Sequence, residues 1–136
     1  MYKGYSLVID VDGTLCPIKK PEQKYEDLVP YSAMVEKLKA CHADGAKIIL
    51  YTSRNMNSYN GNLGLINKYT AAVLTKWLEK WDIPYDEIIY GKIWPGHKGF
   101  YIDDRTVRPR EFLENSPEQL EKICAADRLP ENVCDK

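Results

Sequence analysis

Apolar residues along this chain fall into short continuous runs and longer helical stripes, in alternation. Residues 5–11, YSLVIDV, form an apolar and β-branched run and predict a buried first strand. Pro17, Pro21 and Pro30 each oppose a regular element in the polar segment that follows. From Tyr31 the apolar positions Tyr31, Met34, Val35, Leu38 and Cys41 recur at helical spacing, with Gly45 as a stop signal. AKIILYT (46–52) predicts a second buried strand. SRNMNSYNGNLGLIN then reads as a long polar loop. A second helix is predicted over about 67–81, with Leu74, Trp77, Leu78 and Trp81 on one face at core spacing. EIIY and GFYIDD predict two more short strands. Ser116, Pro117 and Gln119 form a capping-box start for a last helix.

This order predicts an α/β fold: a doubly wound, mainly parallel sheet with helices on both faces. Ligands of such sheets bind beyond the carboxyl ends of the strands. The 136 residues are read as a single domain, 1–136. With 44% apolar and 29% charged residues the composition is that of an ordinary soluble protein, and a net charge of -1 argues against nucleic acid as partner. No apolar stretch approaches the ~20 residues that span a bilayer, so no membrane partner is expected. Cys16, Cys41, Cys124 and Cys134 have no metal or redox spacing and read as reduced thiols, which with the lack of an export signal gives a cytoplasmic expectation. Homo-oligomerisation is left open.

The polar residues at the predicted strand ends carry the chemistry. The first strand ends in Asp10-Val11-Asp12-Gly13-Thr14, and the second in Thr52-Ser53-Arg54. Lys92 follows the third, and Asp103-Asp104 ends the fourth. Two carboxylates one residue apart repel unless a cation, a phosphate site or solvation relieves them. A calcium loop is excluded, because Leu15 and Pro21 stand where an EF-hand needs its glycine and its bidentate glutamate. In a parallel sheet these groups converge on one rim. Mg²⁺ could sit among Asp10, a main-chain carbonyl and Asp103 or Asp104, with Thr52 and Lys92 donating to phosphoryl oxygens. Lys98 and Ser53 compete with Lys92 and Thr52 for those roles. The chemistry that fits is phosphoryl transfer to Asp10, with Asp12 as acid and base and Gly13 letting the backbone turn closely around the phosphate.

The set DxDGT at 10–14, Thr52, Lys92 and the 103–104 acidic pair, in that order, resembles the haloacid dehalogenase (HAD) superfamily of phosphohydrolases. The resemblance implies a Rossmann-like, three-layer core. It makes Asp10 the nucleophile and Asp12 the acid/base and, through its carbonyl, a Mg²⁺ ligand beside Asp103 and Asp104. TSRNMNSYNGN and YGKIWPG…FYIDDR are also similar to small HAD phosphatases associated with capsular polysaccharide biosynthesis. Neither the stretch after Thr14 nor residues 53–92 can house a folded cap, so the type implied is capless and the site open. Gly13, Thr14, Ser53, Arg54, Asn55 and Asn57 are then candidates for substrate contact, with Asn60 further along the same loop. The expected partner is a small phosphorylated metabolite: a sugar, polyol or amino-alcohol phosphate. Two alternatives are a nucleotide phosphatase and a receiver-like signalling domain, whose acidic pair would come near the start of the chain instead.

Overall fold

The computed structural model describes residues 1–132. The chain divides into two units, one spanning 2–94 and one containing 95–132. Within 2–94 the strands are β1 (Ser6–Ile9), β2 (Lys47–Thr52) and β3 (Glu87–Tyr90), a parallel sheet in the order β1-β2-β3. The connections are helical. Helix α1 (Ser32–Ala43) links β1 to β2. A longer helical run links β2 to β3, as α2 (Leu63–Leu65), a π turn (Ile66–Thr70) and α3 (Ala71–Lys80).

Both crossovers step the same way across the sheet, so right-handed connections place them on one face. Register puts Ile9 beside Leu50 and Thr52 beside Tyr90 on that face, and Ile9, Ile48, Leu50 and Thr52 are all buried. The other face carries Val8 and Ile89, 62% and 45% exposed. Winding within this unit is therefore to one side only.

Helix α1 buries Met34, Val35, Leu38 and Cys41, the predicted stripe, while Tyr31 stands just outside as its N-cap. Gly45 ends it at φ +103°, and the Ala46 N–H donates back to the Cys41 carbonyl. The proline-bearing segment between β1 and α1 holds only a 3₁₀ turn, Tyr25–Asp27. It is pinned at two points: the Tyr31 N–H donates to the Leu15 carbonyl, and the buried Trp77 indole N–H to that of Leu28 at 2.7 Å. The helix predicted from residue 67 begins earlier, where the Asn62 side chain accepts from the Leu65 N–H.

In the second unit, α5 (Pro117–Asp127) starts at the predicted Ser116–Gln119 capping box. It is preceded by α4 (Pro109–Glu114), too short to show as a stripe in the sequence. The predicted strand GFYIDD does not form. Residues 99–104 have no regular structure, with Phe100 88% and Ile102 95% exposed, because a strand needs a hydrogen-bonding neighbour that an apolar run does not specify. No helix among the described residues is long and apolar enough to cross a membrane.

One glycine positions the next residue of interest. Gly91 turns the chain at φ +87° directly after β3, and the Lys92 N–H then donates to the Thr52 carbonyl. A Cβ there would lie 2.7 Å from Leu63 Cδ2. Gly91→Ala is predicted to lower stability by roughly 1–3 kcal/mol, from left-handed strain and this clash. Leu63→Ala in the same chain should restore only part of that loss in urea denaturation, since it relieves the clash and not the φ. Full restoration would show that crowding alone matters.

Candidate active site

Because the strands are parallel, Asp10, Thr52 and Lys92 leave the sheet at the same rim. After Ile9 the chain enters a tight loop in which the N–H groups of Thr14, Leu15 and Cys16 all donate to the Val11 carbonyl. Gly13 carries this loop at φ +89°, and its N–H donates to the Cys16 carbonyl at 2.7 Å. Val11, Leu15 and Cys16 turn inward and are fully buried. That anchoring leaves Asp10 and Asp12 at the rim with restricted backbones.

Each carboxylate has its own cation. Lys92 Nζ lies 3.5 Å from Asp10 Oδ1, and the Thr14 hydroxyl donates to Asp10 Oδ2 at 3.2 Å. Burial pushes the Asp10 carboxyl above its ordinary value, and the Asp12 charge adds to the rise. Lys92 and the Thr14 hydrogen bond act against it. Asp12 is clamped instead by Arg54, whose Nε and Nη2 donate to its two oxygens at 3.1 and 2.9 Å. This is the bidentate geometry at which arginine excels.

Arg54 is the residue whose position departs most from the sequence expectation. Its side chain is 1% exposed and is held against Asp12 instead of standing free on the loop surface. Tyr25 covers it, with the guanidinium carbon 4.2 Å from the ring centroid. The pinned 3₁₀ turn thus acts on Asp12 through Arg54. Thr52 is buried, and its hydroxyl oxygen accepts the Arg54 N–H at 3.0 Å, fixing the turn that sends Arg54 inward. The Cys16 thiol lies beneath the pair. Burial, and secondly the Asp12 charge, push it up to about 12.

The remaining candidates divide. Ser53 is partly exposed and its carbonyl accepts the Met56 N–H, while Asn57 is exposed and its carbonyl accepts the Asn60 N–H. Asn55 and Asn60 occupy left-handed turns at φ 63° and 51°, the ordinary structural use of asparagine. Asn55 is also tied to the helical run, since the Thr70 hydroxyl donates to its Oδ1 at 2.6 Å. Asp103, Asp104 and Lys98 belong to the 95–132 unit. There the Asp103 carboxylate accepts the Arg105 N–H, and Asp104 pairs with Arg128 at 3.0 Å, which holds its carboxyl below the ordinary range.

Among the described residues no group of three or more His, Cys, Asp or Glu is gathered as a metal site. What the 2–94 unit offers a cation is the Asp10 carboxylate, a hard oxygen donor whose charged form burial disfavours. Cys16, Cys41 and Cys124 form no disulfide, and Cys134 lies outside the described residues.

A parallel α/β unit with two separately paired carboxylates at its strand ends is the class of protein that fold and site define. A crystal structure of an MCSG target from Vibrio cholerae is 41% identical, with a TM-score of 0.85 over 91% of this chain and 99% of its own. The chain belongs to the same family as that Vibrio cholerae protein. A chain of a Pnkp1/Rnl/Hen1 complex aligns at 22% identity and TM-score 0.46, over 81% of this chain and 33% of its own. No protein-family model and no curated protein matches the sequence.

The clamp makes a prediction about stability. Arg54→Ala leaves Asp12 partly buried without its partner and should cost about 3 kcal/mol, the low end for breaking such a pair. Arg54→Lys should lose most of the same stability, because an ammonium cannot serve both oxygens. Chemical denaturation of the three proteins checks both; an Arg54→Lys variant as stable as the wild type would contradict the clamp. Buried thiols also resist reagents. Brief alkylation of the native protein followed by peptide mapping should modify Cys124 and spare Cys16 and Cys41.

Proposed function

We propose that the protein is a phosphomonoester hydrolase of the HAD type, acting on a small phosphorylated metabolite through an aspartyl-phosphate. The observation that carries this reading is the division of labour between two neighbouring carboxylates. Asp10 has an ammonium and a hydroxyl beside it at the rim, and Asp12 is held apart in a fixed rotamer by Arg54. The finer fold expectation belongs to the same proposal: the sheet of 2–94 is taken as part of a Rossmann-like, doubly wound core without a cap.

In the first step an Asp10 carboxylate oxygen forms a bond to phosphorus while the bond from phosphorus to the ester oxygen breaks. Asp12 enters this step as the protonated acid, with one oxygen released from Arg54, and gives its proton to the ester oxygen, so the leaving group departs as a neutral alcohol. In the second step water bonds to phosphorus, Asp12 takes its proton, and the bond to Asp10 breaks, releasing inorganic phosphate. Lys92 places positive charge at the nucleophile, where the transferring group gathers negative charge. The Thr14 hydroxyl lies beside Asp10, and Thr52 would be a second hydroxyl donor to the phosphoryl oxygens. Arg54 is a positioning residue: it fixes the carboxylate that moves the proton.

The donors suit Mg²⁺, which prefers hard oxygen; Asp10 and the Asp12 carbonyl would hold it, and the resemblance adds Asp103 or Asp104. When bound, it would neutralise charge on the phosphoryl oxygens. A capsular or surface polysaccharide setting rests on the narrower sequence resemblance.

Phosphate release from a panel of phosphomonoesters tests the reading. Repeated turnover is expected from the wild type, and a receiver-like domain would not sustain it. Asp10→Asn should abolish turnover with the fold intact, and Asp12→Asn should lower it by roughly 10²–10⁴-fold. Chelation by EDTA should stop the reaction and Mg²⁺ restore it. Asp103→Asn should raise the Mg²⁺ requirement more than the substrate KM. Substantial activity in folded Asp10→Asn would overturn the assignment, and an unchanged metal titration would remove Asp103 from the ligand set.

A further inference from the structure

Beside the Asp12–Arg54 pair lies a half-open cavity of about 170 Å³ that the chemistry above does not use. Three tyrosines from separate segments form much of its wall: Tyr25 from the 3₁₀ turn, Tyr59 from the asparagine loop and Tyr69 from the π turn. The rings of Tyr59 and Tyr69 lie 6.2 Å apart, inclined by 34°. Asn55 and Thr70 line the same space, joined by their hydrogen bond, together with Arg54 and Val73. The residue that grips Asp12 is thus also a wall of the cavity. π turns inside helices are frequent at functional sites, and here the turn delivers both Tyr69 and Thr70.

We propose that this cavity receives the leaving group of the substrate, and that this group is one hydroxyl-bearing ring, a monosaccharide. The inference rests on the phosphatase reading for the phosphoryl end and on the cavity for the rest. Size restricts the occupant first. A closed cavity of about 150 Å³ holds a benzene-sized ring, so this one, open on one side, surrounds one six-membered ring with its substituents at the opening, and the base of a nucleoside would lie outside it. Charge restricts it next. Three tyrosines could cage a quaternary ammonium, but the Arg54 guanidinium already lies 4.2 Å over Tyr25, and a cationic occupant would meet it. This disfavours amino-alcohol phosphates. Polarity decides between the rings that remain. Tyrosine offers an apolar face to the C–H face of a sugar ring and a hydroxyl at its edge, and the Asn55 amide adds hydrogen-bonding capacity that a plain hydrocarbon ring would not use. A linear polyol would match the hydroxyls but lose conformational freedom on entry, a cost the closed ring avoids.

Two measurements test this. The first compares kcat/KM for hexose 1- and 6-phosphates with glycerol phosphate, phosphoethanolamine and mononucleotides. The second follows binding of free hexoses by ligand-observed NMR and needs no turnover. Wild type should favour a hexose phosphate by about tenfold or more and bind the matching free hexose. Tyr69→Ala removes a wall and Val73→Phe fills the space, since Val73 also lines it. Both variants, checked by circular dichroism, should bring that preference within about threefold of glycerol phosphate and abolish hexose binding. A preference for nucleotides or phosphoethanolamine, or a hexose preference untouched in both folded variants, would overturn the proposal. Hexose binding lost in Val73→Phe, with no phosphate released from any ester, would uphold the cavity and remove the chemistry assigned to Asp10. Turnover of small esters with neither hexose preference nor hexose binding would do the reverse.

Discussion

Two carboxylates separated by one residue repel each other, and much of the 2–94 unit is arranged around that repulsion. Like charges repel more strongly the closer and the drier they are, and the Asp12 charge helps push the Asp10 carboxyl up. Here the repulsion is met by giving each its own cation, from a different strand end. Lys92 arrives beside Asp10 from the turn after β3, and Arg54 arrives beside Asp12 from the turn after β2. Neither partner is near in sequence, so the parallel register of the three strands is what makes the site. The division also separates their surroundings: Asp10 meets an ammonium and a hydroxyl, while Asp12 is fixed by two hydrogen bonds from one guanidinium.

The clamp extends outward. A guanidinium buried against Asp12 needs a cover, and Tyr25 provides one. Tyr25 sits on an irregular segment, which keeps its place because the Trp77 indole N–H donates to the Leu28 carbonyl and the Tyr31 N–H to the Leu15 carbonyl. Through the Leu28 segment, Tyr25 and Arg54, Trp77 in α3 therefore bears on the orientation of the Asp12 carboxylate. The asparagine loop serves both architecture and site in the same manner. Its left-handed Asn55 makes the turn, and its side chain ties the loop to Thr70, whose π turn sets Tyr69 beside Tyr59.

How much of this was legible in the sequence depends on the range of the interactions. β2 and β3, the stripe of α1, its Gly45 stop and the Ser116 capping box depend on local pattern, and they stand within a residue or so of where the pattern puts them. Strand ends locate rim residues, so Asp10, Thr52 and Lys92 could be named together before any coordinates. Arg54 read as a loop residue beside a phosphate site, because its partner lies 42 positions away and its burial is set by Tyr25 and Thr52. The tyrosine wall was invisible for a similar reason: three segments supply one ring each, with no shared spacing. GFYIDD failed in the opposite direction. It has the composition of a strand, but strand formation depends on a pairing neighbour, and composition does not name one.

The central claim is that Asp10 carries the phosphoryl group, and the most direct measurement traps it there. The protein is mixed with a phosphomonoester that it turns over and Mg²⁺, quenched in acid within the first turnovers, digested and analysed by mass spectrometry. The account predicts a phosphoryl adduct on the peptide containing Asp10, labile to hydroxylamine as an acyl phosphate should be, and absent from Asp10→Asn. Rapid phosphate release with no adduct on that peptide at any quench time, or an adduct on another residue, would contradict it.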